Sequence, residues 1–224
     1  MEQKEFILRT LVGSQAHGLA NEDSDYDYRG VFVIPTEEIL ALGRSIKQTD
    51  WIEGKNDDTS WEIGHFLNLA TKCNPTILEV FLSPVIDETE EGKRLRELFP
   101  YVWNSQYVRD AFIGYAHNQR KKMLEDKDKR SHKYAAAYLR VLYQAHQLLK
   151  TGTFNVRIAD EPIGRFIREV KDKDSNVKIG TIIDACYALE VKVHDAYEEN
   201  FDKKTDVEKI NEFLLEVRKS HWRY

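Results

Sequence analysis

Long hydrophobic runs are missing from this 224-residue chain, and none approaches the roughly 20 residues that a membrane-spanning helix needs. The polar start, Met1 to Lys4, carries no basic segment followed by an apolar one. No secretory leader is therefore expected, and the sequence predicts a cytoplasmic protein with no membrane partner. Cysteine is scarce too. Cys73 and Cys186 stand alone in distant contexts with no CxxC pair, so a structural zinc site has no support. Free buried thiols in a reducing compartment are the reading that remains. An excess of positive charge is also absent: 33 Lys and Arg stand against 38 Asp and Glu, a formal net charge of −5. A protein that coats nucleic acid indiscriminately is strongly basic, so that class is excluded. What is present is a soluble globular composition, 42% hydrophobic and 32% charged, enough for one large domain or two small ones. If such an acidic chain handles phosphate, it must concentrate positive charge, or recruit metal, at one place.

The first hundred residues and the rest read differently. Phe6 to Val12 and Tyr28 to Ile34 are strand-like, ended by Gly13 and Pro35. Ile46 to Glu53 and Asp57 to Trp61 flank Gly54-Lys55-Asn56, which suits a hairpin. Glu62 to Lys72 carries Ile63, Phe66, Leu67 and Ala70 at helical spacing. Thr59 and Glu62 also fit a capping box, but strand up to Trp61 is the preferred reading. Asn74-Pro75-Thr76 ends one helix and opens another. From about Tyr101 the pattern is helical over 102–125, 131–151, 162–171, 179–200 and 206–219. The expected fold is α+β: a small mixed sheet with helices in residues 1–100, then a helical domain over 101–224.

The informative stretch is Gly13 to Gly30, GSQAHGLANEDSDYDYRG. It links a strand ending in Gly-Ser to one opening with Asp25-Tyr26-Asp27. Alternate residues of a strand face one way, so Asp25 and Asp27 point together. Two carboxylates so close repel unless a cation lies between them, and hard divalent ions prefer oxygen. Gly13-Ser14 offers backbone N–H groups, a small hydroxyl and close approach, which suits an anion. Together they describe a metal–nucleoside triphosphate site.

These residues resemble the nucleotidyltransferases of the DNA polymerase β superfamily, marked by Gly-Ser, a spacer of about ten residues, then Asp-x-Asp. The closer resemblance is to the RNA-ligase-associated predicted nucleotidyltransferases, carried by GSQAHG, SDYDYRGVFVIP and FLNLATKCNPTILEVF, and by Lys133, Arg140 and Gly152 in the helical half. The resemblance implies that Asp25 and Asp27 hold two Mg²⁺ ions, with Mn²⁺ as a substitute, and that Gly13 and Ser14 hold the terminal phosphates of an NTP. It implies a third carboxylate on a neighbouring strand; spacing points to Asp58, with Asp57 and Glu62 as competitors because strand register can slip by a residue. The reaction implied is transfer of a nucleoside monophosphate to an acceptor hydroxyl on an RNA end, a protein or a small molecule, with pyrophosphate leaving.

Arg29 either contacts phosphate or pairs with a carboxylate. His17, inside the phosphate loop, reads as a local hydrogen-bonding residue. Arg120 to Lys133 holds seven Lys or Arg and three Asp or Glu, and reads as a solvated helix end or as a wall that meets triphosphate or RNA. From this half Lys133 and Arg140, seven residues apart on one helix face, are the phosphate candidates. Tyr134 and Tyr138 read as core before base-stacking groups. A second functional reading is a non-catalytic nucleotide-binding or regulatory module partnering a toxin or an RNA-processing enzyme.

Overall fold

The computed structural model describes residues 4–22, 24–43, 45–52 and 58–222. Its first half alternates strand and helix: β1 (Glu5–Val12), α1 (Gly13–Ala16), β2 (Asp27–Val33), α2 (Thr36–Leu40), β3 (Thr49–Ile52), β4 (Asp58–Glu62), α3 (Ile63–Thr71), α4 (Pro75–Leu82), β5 (Val85–Glu88), α5 (Glu90–Glu97) and α6 (Phe99–Val102). The second half is helical: α7 (Ser105–Leu124), α8 (Ser131–Thr151), α9 (Gly164–Lys171), α10 (Ile179–Glu199) and α11 (Val207–Ser220). The five strands form one mixed sheet in the order β3-β4-β2-β1-β5. Only β2 and β4 run parallel; the other neighbours are antiparallel. The expected α+β class is therefore the observed one. The segment 85–88 had no strand expectation, and it forms the short edge strand β5.

Alternation assigns the two faces of the sheet. On β2, Val31 and Val33 join the hydrophobic core, so Asp27 and Arg29 share their side. Tyr28, Gly30 and Phe32 look the other way. The register carries this across the sheet, with Thr10 and Val12 opposite Arg29 and Asp27, and Thr59 and Trp61 beside Arg29 and Val31. The inner face thus changes along β2 from polar at its start to apolar at its end.

Helix α3 starts where β4 stops, and Glu62 makes the junction. Its carboxylate accepts the Gly64 N–H at 2.8 Å, capping the helix. It also meets Arg218 of α11 at 2.7 Å, with both side chains largely buried. A ladder of rings then joins the halves: Trp61, Phe66, Phe81, Phe99, Phe154 and Phe112 follow one another with centroids 5.1–6.3 Å apart. Phe66, Phe81 and Phe112 are fully buried. The core is continuous across residue 100. Glu62→Ala strands the buried Arg218 and uncaps α3, and is expected to cost about 3–5 kcal/mol. Urea unfolding of the variant against the parent checks this; a loss below 1 kcal/mol would contradict it.

Candidate functional site

Strand β1 delivers the chain to Gly13, which turns at φ +67°. This left-handed conformation is one that L side chains avoid. A Cβ at position 13 would stand 2.3 Å from Asp27 Oδ2. The Asp27 carboxylate therefore rests against the bare Cα of Gly13, and Ser14 follows at once. Asp25 lies two residues before β2 and is solvent-exposed. Gly13 and Asp27 are thus brought together at one end of the β1–β2 pair, with Ser14 next in the chain, Arg29 two residues along the same face of β2, and Asp25 exposed two residues before that strand.

Asp58 is not brought to this group. It pairs with Tyr28 in the parallel register, so its side chain belongs to the opposite face of the sheet from Asp27. There Arg9 holds it at 2.7 Å and lies over the Tyr28 ring at 4.7 Å. The physical reason is the one-residue parity of a strand, which sends adjacent positions to opposite sides. Glu62 is committed to α3 and Arg218. Asp57 lies outside the described residues. Among the described residues no three His, Cys, Asp or Glu converge as a metal-binding group.

Past α1 the chain forms a strap across the molecule. His17 donates from Nε2 to Glu79 Oε1 of α4 at 2.7 Å, both side chains buried. Glu79 Oε2 faces Arg140 Nη1 of α8 at 3.5 Å, and Arg140 also donates to Gln144 Oε1 at 2.9 Å. Gln144 in turn donates to the Asn155 carbonyl. The His17 carbonyl accepts the Ala159 N–H at 3.0 Å. Gly18 turns at φ +69°, where a Cβ would meet the Ala159 methyl at 2.8 Å. Lys171 of α9 closes the strap by donating to the Leu19 carbonyl. Arg140 is therefore bound into the support of the loop, while Lys133, on the same helix, is exposed.

The protonation states follow from this packing. Burial alone would push the Glu79 carboxyl up, but His17, Arg140 and Arg29 around it outweigh that and hold it at about 2. His17 is pushed below its ordinary value by burial and by Arg140, against the pull of Glu79. The pair thus stands at neutral pH as an anionic carboxylate and a neutral imidazole protonated on Nε2. Burial and neighbouring Lys133 lower the Lys171 ammonium. Glu79, Gln144 and Lys171 were not singled out from the sequence. The signal for Glu79 was there: a carboxylate inside the apolar run TILEVFL must be paired if it is buried.

Both shifts make the strap acid-labile. The His17 contribution is complete above its ordinary 6.5 and falls away below it. That of Glu79 is complete above 4.5 and is lost as pH falls toward about 2. Glu79→Gln is expected to be about 3 kcal/mol less stable than the parent at pH 7, with the gap closing below pH 4.5. Urea titrations at pH 7, 5, 4 and 3 read the gap directly; a gap that does not change with pH would refute the assignment of Glu79 as the ionised member.

Comparison with known proteins bears on this arrangement. An uncharacterized protein, YcgL of Bacillus subtilis (strain 168), is 27% identical over 147 residues, covering 63% of this chain. The chain spans only 55% of that relative's length. The crystal structure of a nucleotidyltransferase-like protein from Exiguobacterium sibiricum 255-15 is a loose match, with TM-score 0.30 and 10% identity over 96% of this chain and 74% of that one. The family model of the RNA repair pathway DNA polymerase beta family matches residues 1–163, which include Gly13-Ser14, Asp25, Asp27, Glu79, Lys133 and Arg140. Since that match takes in well over half the sequence, the chain belongs to the RNA repair pathway DNA polymerase beta family.

Proposed function

We propose that this protein is a divalent-metal-dependent nucleotidyltransferase that moves a nucleoside monophosphate from an NTP to an acceptor hydroxyl, releasing pyrophosphate. The observation that carries the reading is the Asp27 carboxylate seated against Gly13, where a Cβ would stand 2.3 Å from Oδ2. That contact couples the Gly-Ser turn to the Asp-x-Asp strand, the two parts such a reaction needs side by side. The donor set also fits a hard cation: Asp25 and Asp27 supply only oxygen, which suits Mg²⁺ or Mn²⁺. Bound there, such ions would neutralise the triphosphate and acidify the acceptor hydroxyl.

The chain's own groups take the remaining roles. In this reading the Gly13-Ser14 turn holds the terminal phosphates through backbone N–H groups and the Ser14 hydroxyl. Arg29, on the face of Asp27, adds positive charge where the leaving pyrophosphate develops negative charge. Arg140 acts through Glu79 and His17 to hold the loop, and exposed Lys133 is the phosphate contact from the helical half. With Asp58 on the other face and Glu62 engaged by Arg218, Asp57 is the third-ligand candidate that remains.

The test is incorporation of α-labelled NTP with Mg²⁺ against RNA, protein and small-molecule acceptors. Asp25→Asn and Asp27→Asn are each expected to lower the rate by about a thousandfold or more, and a chelator to abolish it. Asp58→Asn is expected to retain activity. Full activity in either Asp25→Asn or Asp27→Asn would overturn the reading. A second reading, nucleotide binding without turnover, is favoured by the commitment of Asp58 to Arg9 and of Glu62 to Arg218. That reading predicts saturable Mg²⁺–NTP binding with no pyrophosphate released.

A further inference from the structure

A cavity of about 520 Å³ opens between the end of α3, the start of α7 and the segment that leads into α11. Lys72, Lys203, Lys204, Asn104, Tyr107 and Phe201 shape it, and no described Asp or Glu lines it. In a chain of net charge −5 this is a local concentration of positive charge. Two helices of 20 and 14 residues, α7 and α11, begin at its wall, so their positive dipole ends add to the lysines. Of the carboxylates in the flanking segment, Asp202, Asp206 and Glu208, none lines the cavity; Asp206 caps α11 by accepting the Lys209 N–H at 3.0 Å while its charge still acts on Lys203.

The lysines differ in setting. Lys72 and Lys204 are exposed. Lys203 is partly buried, lying 5.1 Å over the Trp103 ring and donating to the Lys204 carbonyl at 3.0 Å. Burial lowers its ammonium below the ordinary value, so an anion beside it would restore what desolvation takes. Two flat rings complete the wall, Tyr107 at 49% and Phe201 at 66% exposure. Rings of that size left in water beside cations match the combination that single strands use, charge for the backbone and π-faces for the bases. The volume falls within the roughly 300–1,000 Å³ of pockets that hold small ligands, room for one nucleotide with the strand leaving on either side.

We propose that this cavity is a binding site for single-stranded nucleic acid, with the lysines on the phosphodiester backbone and Tyr107 and Phe201 stacking a base. None of its lining residues belongs to the loop–Glu79–Arg140 strap, so variants of the cavity and of the strap can be read separately. Ribose and deoxyribose strands share the chemistry invoked, and the experiment separates them.

The experiment is fluorescence anisotropy of the whole chain with labelled 12-nucleotide oligoribonucleotides and oligodeoxyribonucleotides across a salt series. Saturable binding of either supports the proposal, and their ratio identifies the preferred sugar. Lys72→Gln/Lys204→Gln is expected to weaken binding at least tenfold and to flatten the log–log salt slope by about 1.4, the loss of two phosphate contacts. Phe201→Ala and Tyr107→Ala are expected to lose about fivefold or more with the salt slope unchanged. Tyr107→Phe, which keeps the ring, is expected to bind as the parent does. Asp27→Asn is expected to bind as the parent does even where it abolishes transfer. Circular dichroism and melting confirm that each variant is folded. The proposal is overturned if the parent binds neither strand at low salt, if the lysine pair can be replaced without loss, or if Tyr107→Phe binds as weakly as Tyr107→Ala. Equal displacement of the strand from parent and ring variants by inorganic polyphosphate would overturn it too, because the site would then read charge alone.

Discussion

The buried carboxylate of Glu79 is the constraint on which the rest of the site depends. An ionised group removed from water is costly unless it is paired, and here His17 and Arg140 pair with it while the charge of Arg29 adds at longer range, from three separate elements. Because those partners come from the loop after β1, from α8 and from β2, the charge is satisfied in only one relative arrangement of the three. A well-packed apolar cluster could match its stability but would tolerate small slides. The ion cluster fixes the register of the Gly13–Leu19 strap against the helices. Gly18 on Ala159, and Lys171 on the Leu19 carbonyl, extend the same seam.

That seam sets the position of the Gly13–Asp27 contact. Gly13 reaches Asp27 because β1 and β2 pair antiparallel with Val12 opposite Asp27, and the loop then leaves toward Glu79 instead of folding back over the strand. The inner face of β2 divides its labour by position. Asp27 and Arg29 serve the polar mouth, while Val31 and Val33 enter the core that runs on through the ladder of rings to Phe112.

Much of this was legible in the sequence. The main strands, the helix after β4 and the five long helices follow their hydrophobic periods within a few residues, and Gly152 ends α8 in the left-handed conformation its residue type suggests. Gly-Ser and Asp-x-Asp could be read because the constraint is local. What escaped was non-local. Spacing along the chain cannot tell which face Asp58 takes, since the register is fixed by β2 packing beside β4 and a single step changes the face. Arg140 was picked out as a basic residue near phosphate, yet its charge is committed to Glu79, 61 positions earlier. His17 was read as a hydrogen-bonding residue, but its partner lies 62 positions away, beyond any local pattern.

The acidic total of the chain acquires a spatial meaning from these contacts. Cations are drawn inward at two places, and in both an uncharged or already committed neighbour replaces the carboxylate that would neutralise them. At the strap, Arg140, Lys171 and Arg29 outnumber the one buried carboxylate, Glu79, and His17 is kept neutral by burial and by Arg140. At the start of α11, Asp206 is turned to its own helix and leaves Lys203 and Lys204 facing the cavity. Elsewhere the chain carries a net excess of acidic residues, so these two places stand out as local concentrations of positive charge on an acidic protein. On the proposed readings of both places, any preference for phosphate would come from how carboxylates are committed and would need no overall excess of basic residues.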